Sequence, residues 1–375
     1  MMKPMGLTLF EPIRIGQMEL PNRIMRSATW DATADASGAV TDKSVEMYST
    51  LGRGEIGLIV SGYMFVSPHG QASLAQYGIY HDDLIPGLKR MTEAVHAGGS
   101  RIAAQIVHSG FNSGYLRNKR IVPLAVSYLP DSRHLHAQMT EEIIESIIND
   151  FVAGAIRGRE AGFDAVQLHG AHGYLISQFL TPIFNKRMDR WGGNSENRRR
   201  FPLEVIRRVR NALGDDFPLL VKLGVRDYKE GGVSLEEGVE TARQMVENGL
   251  DAVEVSVGIG TGVHTTNPED PEKAYLREES AAVKRVLNVP VAEVGGIRTI
   301  SLANEIIESG DADMISMSRP FIREPNLLAR WKSGDTDPAR CISCNRCFEP
   351  ISKGQPLHCV QEAMAERGAG KAEVH

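Results

Sequence analysis

The sequence predicts a (β/α)8 barrel, a fold of the α/β class, and three observations carry this prediction. Eight short apolar runs, rich in Val and Ile, alternate along the chain with segments of helical periodicity. The runs are apolar on both faces, as buried parallel strands are. A local repeat recurs in AGFDAVQL (161–168), NGLDAVEV (248–255) and SGDADMIS (309–316). Each copy is typical of a helix C-terminal glycine, a short turn and a buried strand, so one unit recurs as it does in barrels.

The eight predicted strands are spread over most of the chain. They are RIMRSA (23–28), GLIVSGYMFV (57–66), RIAAQIVH (101–108), AVQLHG (165–170), LLVKLGV (219–225), AVEVSVG (252–258), VPVAEVGG (289–296) and MISMSRP (314–320). Thr140 is the predicted N-cap of the helix before the fourth strand, and residues 321–335 predict a final helix. The stretch LFEPIRIGQMELPN, ahead of the first strand, predicts a hairpin that closes the bottom of the barrel.

A doubly wound sheet is the alternative fold, but the G-x-G-x-x-G signature that would follow its first strand is missing. GIGTG (258–262), after the sixth strand, fits that motif poorly and is interpreted as a flexible loop. We therefore expect one barrel over residues 1–335, followed by a cysteine-rich extension and polar tail over residues 336–375.

Composition excludes several classes of partner. The net charge of −5 offers no general attraction to nucleic acid or to anionic lipid. The chain has no run of about 18 apolar residues, and its N-terminal segment lacks an apolar signal core. We expect a cytoplasmic protein that acts on a small molecule and binds neither nucleic acid nor membrane.

The stretch HGAHGYL (169–175) brings titratable groups to the predicted barrel mouth. Chemistry in such barrels sits at the C-terminal ends of the strands and in the loops that follow. His169 ends the fourth strand, while His172 and Tyr174 fall in the loop after it. A metal site is one interpretation of the two imidazoles, with His108 as a third ligand and Glu254 as a weaker candidate. The other interpretation is that one of the two is a structural histidine and the other faces solvent.

Other strand ends favour an organic anion. Gly295 and Gly296 follow the seventh strand, and Ser318 and Arg319 end the eighth. These positions match the place where such barrels bind phosphate, because glycine amides approach oxygens closely and Arg supplies charge and donors. Gln105 and Lys222 stand inside the third and fifth strands, where apolar residues are expected, and so indicate a polar, planar ligand.

A long series of motifs resembles the Old Yellow Enzyme family of FMN-dependent ene-reductases. It includes HGAHGYLISQFLTPIFNKRMDRWGGNSENRRRF (169–201), and LFEPIRIG, NRIMRSA, QIVHSG, VKLG and GDADMISMSRPF in order along the chain. The resemblance implies noncovalent FMN at the barrel mouth. It places Ser27, Ala28 and Thr29 beneath the flavin ring, Gln105 at its pyrimidine edge, Lys222 near N1 and the C2 oxygen, and Gly295, Gly296 and Arg319 at the phosphate.

The same resemblance implies catalytic roles at the histidine motif. His169 and His172 match the pair that donates hydrogen bonds to a substrate carbonyl oxygen, and Tyr174 matches the acid that protonates the α-carbon. NAD(P)H is the implied reductant. Trp30 departs from the Thr or Cys that relatives usually carry, and Asp31 and Ala32 follow where some relatives place a substrate-binding Tyr, so the substrate pocket differs from theirs.

All four cysteines lie in C-x2-C-x2-C-x11-C, at Cys341, Cys344, Cys347 and Cys359. Two short steps can wrap one corner of a metal cluster, and a distant thiolate can close it. The segment resembles the one that follows the barrel in 2,4-dienoyl-CoA reductase and trimethylamine dehydrogenase, which holds a four-iron cluster. A [4Fe-4S] cluster is the favoured interpretation, with zinc or free thiols as alternatives.

Three functions are open at this point. The first is reduction of an activated C=C bond of an enone or enoyl substrate. The second is a dehydrogenase of the trimethylamine dehydrogenase type. Because the chain stops at residue 375, without the nucleotide-binding domain of those relatives, we expect its cluster either to exchange electrons with a separate protein or only to brace the C-terminus. The third is a metal hydrolase that uses the histidines. The resemblance is also compatible with a homo-oligomer.

Overall fold

The core of the molecule is a closed ring of eight parallel strands in a computed structural model that describes residues 8–260 and 274–365. The strands, numbered β1 to β8, are Ile24–Arg26, Leu58–Val60, Arg101–Val107, Ala165–Gly170, Leu219–Arg226, Ala252–Val257, Val291–Val294 and Met314–Met317. Each strand pairs with the next in parallel register. Ile315 of β8 lies opposite Ile24 of β1, which closes the ring. The predicted (β/α)8 barrel is confirmed.

Each strand is followed by a helix. Numbered α1 to α8, these are Asp42–Gly52, Ile85–His96, Glu141–Glu160, Ser195–Leu213, Leu235–Glu247, Arg277–Lys284, Ile300–Glu308 and Leu327–Lys332. Shorter elements lie in the loops: helices Gly114–Asn118, Leu175–Leu180, Arg319–Arg323 and Glu349–Ser352, 3-10 turns Thr8–Phe10, Pro68–Gly70, Asp82–Leu84 and Arg346–Phe348, and strands Met64–Phe65, Leu124–Ala125 and Ala137–Gln138. The side chain of Thr140 accepts a hydrogen bond from Ile143 N and caps α3, as predicted.

A hairpin of strands Ile13–Ile15 and Met18–Leu20 precedes β1. Ile15, Met18 and Leu20 are buried in one cluster with inward-facing residues of the barrel. Those residues are Met25, Leu58, Val60, Ala103, Ala165, Leu220, Ala252, Ala292 and Met314. The hairpin therefore closes the N-terminal end of the barrel, as predicted, and leaves the opposite end for the site.

Two predicted elements are divided in the structure. The run 57–66 forms β2 and the separate strand Met64–Phe65, because the chain turns at Gly62, whose NH bonds to the Tyr48 hydroxyl instead of to a neighbouring strand. The predicted final helix 321–335 becomes Arg319–Arg323 and α8. Pro325 explains this break, since the residue before a proline avoids helical backbone, and Glu324 has φ −132° and ψ 81°.

No helix within residues 8–260 and 274–365 is both long enough and apolar enough to span a membrane. Of the predicted loop GIGTG, Gly258 to Gly260 are described and lie at the rim of the site. Residues 261 and 262, and the polar tail from residue 366, lie outside the described residues.

Candidate functional site

A cavity of about 540 Å³ lies where the barrel strands end. All twelve residues that the sequence predicted for the barrel mouth line it: Ser27, Ala28, Thr29, Gln105, His169, His172, Tyr174, Lys222, Gly295, Gly296, Ser318 and Arg319. This volume is within the usual range for a small-molecule or cofactor site, roughly 300 to 1,000 Å³. Sequence positions up to 292 residues apart thus meet at one site because the barrel gathers its strand ends.

The cavity floor carries a buried charge pair. Lys222 Nζ donates hydrogen bonds to Ser27 Oγ at 2.7 Å and to Glu254 Oε1 at 2.9 Å. Burial acts to raise the pKa of Glu254, but the charge of Lys222 and hydrogen bonds from Ser27, Lys222 and Ser316 outweigh it, so the pKa is lowered. The floor therefore rests on a salt bridge between Lys222 and the ionised carboxylate of Glu254.

One side of the cavity is formed by His169, His172 and Tyr174, which we term the His–Tyr wall. The ring of His169 meets the ring of His172 edge to face at 5.1 Å and the ring of Tyr174 at 4.9 Å. His172 has φ +59° and Gly173 has φ +73°, so two left-handed residues turn the chain sharply enough to gather the three side chains.

Both imidazoles of the His–Tyr wall are neutral. Burial lowers the pKa of His169 well below its usual value, and the positive charge of Lys222, like any proton gained by His172, acts in the same direction. The pKa of His172 is also lowered, first by desolvation in the cavity wall and then by Lys222. His169 Nδ1 accepts a hydrogen bond from Ala171 N at 3.3 Å. The proton of the neutral His169 ring therefore resides on Nε2, which can donate.

His172 and Tyr174 are held in different ways. The Nε2 atom of His172 forms a 2.9 Å hydrogen bond with Ser256 Oγ on β6. Burial raises the pKa of Tyr174, while a hydrogen bond with Tyr63 opposes the shift. The Tyr174 phenol consequently keeps its proton at neutral pH and can act as an acid.

An aromatic lining is completed by Trp30, which the sequence placed at the substrate pocket, and by Tyr63, which it did not assign. The ring of Tyr63 packs against Tyr174 with centroids 5.6 Å apart and meets His169 edge to face at 6.2 Å. Its hydroxyl bonds to Ser73 Oγ at 2.9 Å. Trp30 packs beside it and donates from Nε1 to the Leu74 carbonyl. Tyr63 lies within the run 57–66, which was predicted to be one continuous strand. The adjacent Gly62 was the signal that this strand is interrupted.

The predicted phosphate corner is open to the cavity, and its glycines are required. Gly295 has φ +130°, and a Cβ added there would lie 2.4 Å from Cε2 of Tyr275. Gly296 also has a positive φ, of +79°. Arg319, the cation of the corner, donates from Nη1 to the Ser343 carbonyl at 3.3 Å and to the side chain of Asn345 at 2.5 Å.

Asp31 does not face the cavity. It is 1% exposed, and its carboxylate accepts hydrogen bonds from Thr33 N and Oγ1 and from the Tyr48 hydroxyl. It braces the loop behind Trp30. Trp30 and Tyr63, and not Asp31, therefore line this side of the cavity.

His108 is not part of the His–Tyr wall. It is 1% exposed, and its Nδ1 accepts from Gly110 N. Glu254 is already bonded to Lys222. Within the described residues, no three His, Cys, Asp or Glu side chains are arranged to hold a metal ion. The metal site predicted as an alternative from His108, His169, His172 and Glu254 does not form.

The four cysteines gather at one small cavity beside the phosphate corner. Cys341, Cys344, Cys347 and Cys359 line a space of about 20 Å³ together with Arg319, and all four are free thiols. Burial raises the pKa of Cys347 to about 11. Their sulfurs form no metal-binding arrangement in this part of the structure. Four thiols on one cavity are nevertheless a donor set that suits an iron–sulfur cluster.

Comparison with known proteins decides the family. The model of the NADH:flavin oxidoreductase / NADH oxidase family matches residues 8–337. The chain belongs to this family. Membership confirms the resemblance to Old Yellow Enzymes and the predicted class of enzyme, an FMN-dependent oxidoreductase.

Three relatives illustrate the range of this flavin oxidoreductase family. An NADH oxidase of Thermoanaerobacter brockii is 37% identical over 98% of this chain and 57% of its own length. The structure of a 2-naphthoyl-CoA reductase with 2-naphthoyl-CoA is 28% identical with a TM-score of 0.87, covering 94% of this chain and 56% of the other. Histamine dehydrogenase from Rhizobium sp. 4-9 is 28% identical with a TM-score of 0.84, covering 94% and 52%. The chain thus spans about half the length of these relatives.

The cavity fits FMN by its own chemistry. It offers a cation at Lys222 and an amide at Gln105 on the floor, two glycines without side chains at the corner, and Arg319 beside them. A planar polar ring and a phosphate are the groups that such donors suit.

Proposed function

We propose that this chain binds FMN noncovalently and reduces an activated C=C bond of an enone or enoyl substrate, with NAD(P)H as the reductant. When bound, FMN supplies hydride. The observation that carries the proposal is the His–Tyr wall, in which two neutral imidazoles and a protonated phenol share one face of the cavity.

The residues of the wall divide the chemistry between them. His169, with its proton on Nε2, and His172, fixed by Ser256, donate hydrogen bonds to the substrate carbonyl oxygen. Withdrawing charge through that oxygen makes the β-carbon electrophilic. Tyr174 holds the proton that goes to the α-carbon.

The cavity floor and the phosphate corner hold the cofactor. Ser27, Ala28 and Thr29 would hold the flavin ring, and Gln105 and Lys222 would bind its polar groups. Gly295, Gly296, Ser318 and Arg319 hold the phosphate. Aromatic rings of Trp30, Tyr63 and Tyr174 leave room for a flat substrate and exclude water from its face.

The cysteine segment, residues 341–359, is proposed to hold a [4Fe-4S] cluster through its four cysteines, as an extension to a barrel over residues 1–335. The convergence of four thiols on one cavity supports this. A separate electron-transfer protein is the proposed partner.

A second candidate is oxidation of an amine, with electrons leaving through the cluster. The aromatic lining favours it, since Trp30, Tyr63 and Tyr174 could attract a cationic substrate, and neutral imidazoles do not repel one. The structural similarity to histamine dehydrogenase also supports this second candidate.

One set of measurements tests these proposals on the full chain. Purified protein reconstituted with FMN, iron and sulfide should be yellow-brown, and NAD(P)H should reduce a cyclic enone in its presence. Amine-dependent reduction of an artificial acceptor, without enone reduction, would select the second candidate. A colourless protein that retains no flavin would contradict both.

A further inference from the structure

Glu254, on β6, is buried directly beneath the cavity floor. It is 1% exposed and is not part of the cavity lining, whereas Lys222 is. Its Oε1 atom accepts hydrogen bonds from Ser27 Oγ at 2.6 Å, Ser316 Oγ at 2.8 Å and Lys222 Nζ at 2.9 Å. The carboxylate is therefore fixed by β5, by β8 and by the segment that follows β1.

The other oxygen of Glu254 extends the network across the barrel. Oε2 accepts from Gln167 Nε2 at 3.0 Å, and Gln167 Oε1 accepts from Gln105 Nε2 at 2.8 Å. Lys222 and Gln105, the two polar residues proposed to face the flavin ring, are thus oriented by one carboxylate. Nothing in this arrangement requires Glu254 to contact a ligand itself.

The charge on Lys222 depends on this partner. A buried ammonium without a counter-ion loses its proton rather than remain charged in an apolar environment. Glu254 is the carboxylate that pairs with Lys222 within the described residues, and the nearby His169 and His172 are neutral. Removing one partner of a buried pair is costly, while the pair itself is well satisfied.

We propose that Glu254 is a positioning residue that keeps Lys222 charged and in place beneath FMN, and thereby sets the reduction potential of the flavin. The proposal rests on the proposed binding of FMN. A cation at the floor stabilises the reduced, anionic flavin over the oxidised one, so loss of that cation lowers the potential.

The test is the midpoint potential of bound FMN in a set of variants. Glu254→Gln should lower it about as much as Lys222→Met does, and the double variant should fall no further. We expect the ratio of FMN dissociation constants, reduced over oxidised, to rise at least tenfold, which is about 30 mV for a two-electron couple.

Arginine at position 222 supplies the decisive comparison, because its guanidinium stays charged without a carboxylate partner. Lys222→Arg/Glu254→Gln should recover the potential that Glu254→Gln loses. If Glu254→Gln alone fails to hold FMN, Lys222→Arg is compared with Lys222→Arg/Glu254→Gln instead. The ratio of FMN dissociation constants, reduced over oxidised, should then agree within twofold between these two variants.

Glu293→Gln is the control for replacing a buried glutamate by an amide without removing a charge, because burial raises the pKa of Glu293 to about 8. Glu293 is an equally buried glutamate on the neighbouring strand β7, but it does not line the cavity or bond to Lys222, so its substitution should leave the potential unchanged. An unchanged or raised potential in Glu254→Gln would overturn the role of Glu254. A wild-type chain that binds no FMN would instead overturn the proposed function, and this inference with it.

Discussion

The rings of His169 and Tyr174 meet edge to face, with centroids 4.9 Å apart, at the carboxyl end of β4. The neutral imidazole, protonated on Nε2, and the protonated phenol therefore face the same cavity as two separate donors. This separation of roles makes each donor testable by itself.

Tyr174→Phe should slow enone reduction by about 10² to 10⁴-fold, the usual contribution of a general acid. Reduction of the flavin by NAD(P)H should stay within twofold of wild type, since Tyr174 donates only to the substrate carbon. Stopped-flow measurement of the two half-reactions checks this. Tyr128→Phe, at an exposed tyrosine, is the control, and equal slowing of both half-reactions in Tyr174→Phe would argue against the acid role.

Ser256→Ala should raise KM for the enone several-fold. His172→Ala should impair enone reduction more, because it removes the proposed hydrogen-bond donor itself. The Ser256 hydroxyl bonds to His172 Nε2, and if it acts only through that ring its removal costs one neutral hydrogen bond, about 0.5 to 1.5 kcal/mol. Steady-state kinetics of both variants give the comparison. Ser256→Ala effects as large as those of His172→Ala would place the serine in contact with the substrate.

Gly295→Ala should weaken FMN binding and destabilise the fold by about 1 to 3 kcal/mol, because φ of +130° disfavours a side chain and the new Cβ would meet the Tyr275 ring. Gly310→Ala is the control, with a φ of +77° and open space around it. It should lose stability but keep FMN affinity. Flavin fluorescence titration and urea unfolding separate the two effects.

Glu293→Gln should stabilise the chain increasingly as the pH rises from about 4.5 to 8. Burial raises the pKa of Glu293 to about 8, and neither of its oxygens has a hydrogen-bond partner among the residues that the structure describes. Over this range the unfolded state loses a proton that the folded state keeps, so wild-type stability falls with pH by up to about 1.4 kcal/mol per unit from this group.

The measurement is the difference in unfolding free energy between Glu293→Gln and wild type at several pH values. The neutral amide carries no proton to lose, so the difference should grow with pH. Glu46→Gln, at an exposed glutamate of α1, serves as control and should give a flat difference. A flat profile for Glu293→Gln as well would mean that Glu293 is ionised in the folded state.

Much of the fold followed from the sequence because buried parallel strands leave a direct apolar signal. AVQLHG predicted the bounds of β4, Ala165–Gly170, without error. The prediction of one strand over the run 57–66 was wrong. Composition alone does not show that the NH of Gly62 bonds to the Tyr48 hydroxyl and not to a neighbouring strand. Local patterns report burial, but they do not report which partner a backbone group takes.

The candidate site was predicted where a polar residue interrupted an apolar strand. Gln105 and Lys222 stood out in this way and line the cavity. Glu254 also interrupts a strand, but sequence reasoning assigned it to a metal set, because only the three-dimensional register shows Lys222 directly opposite it. Tyr63 was missed because an aromatic residue is ordinary within a strand.

Arg319 lines both the cavity at the barrel mouth and the small cavity of the four cysteines, and its guanidinium donates to the backbone of Ser343. Arg298, from the loop after β7, likewise donates to the Cys341 carbonyl. Trimming the chain after residue 340 would leave both arginines without these acceptors. We therefore expect the truncated barrel to release FMN faster during purification, although none of the four cysteines that it lacks lines the cavity at the barrel mouth.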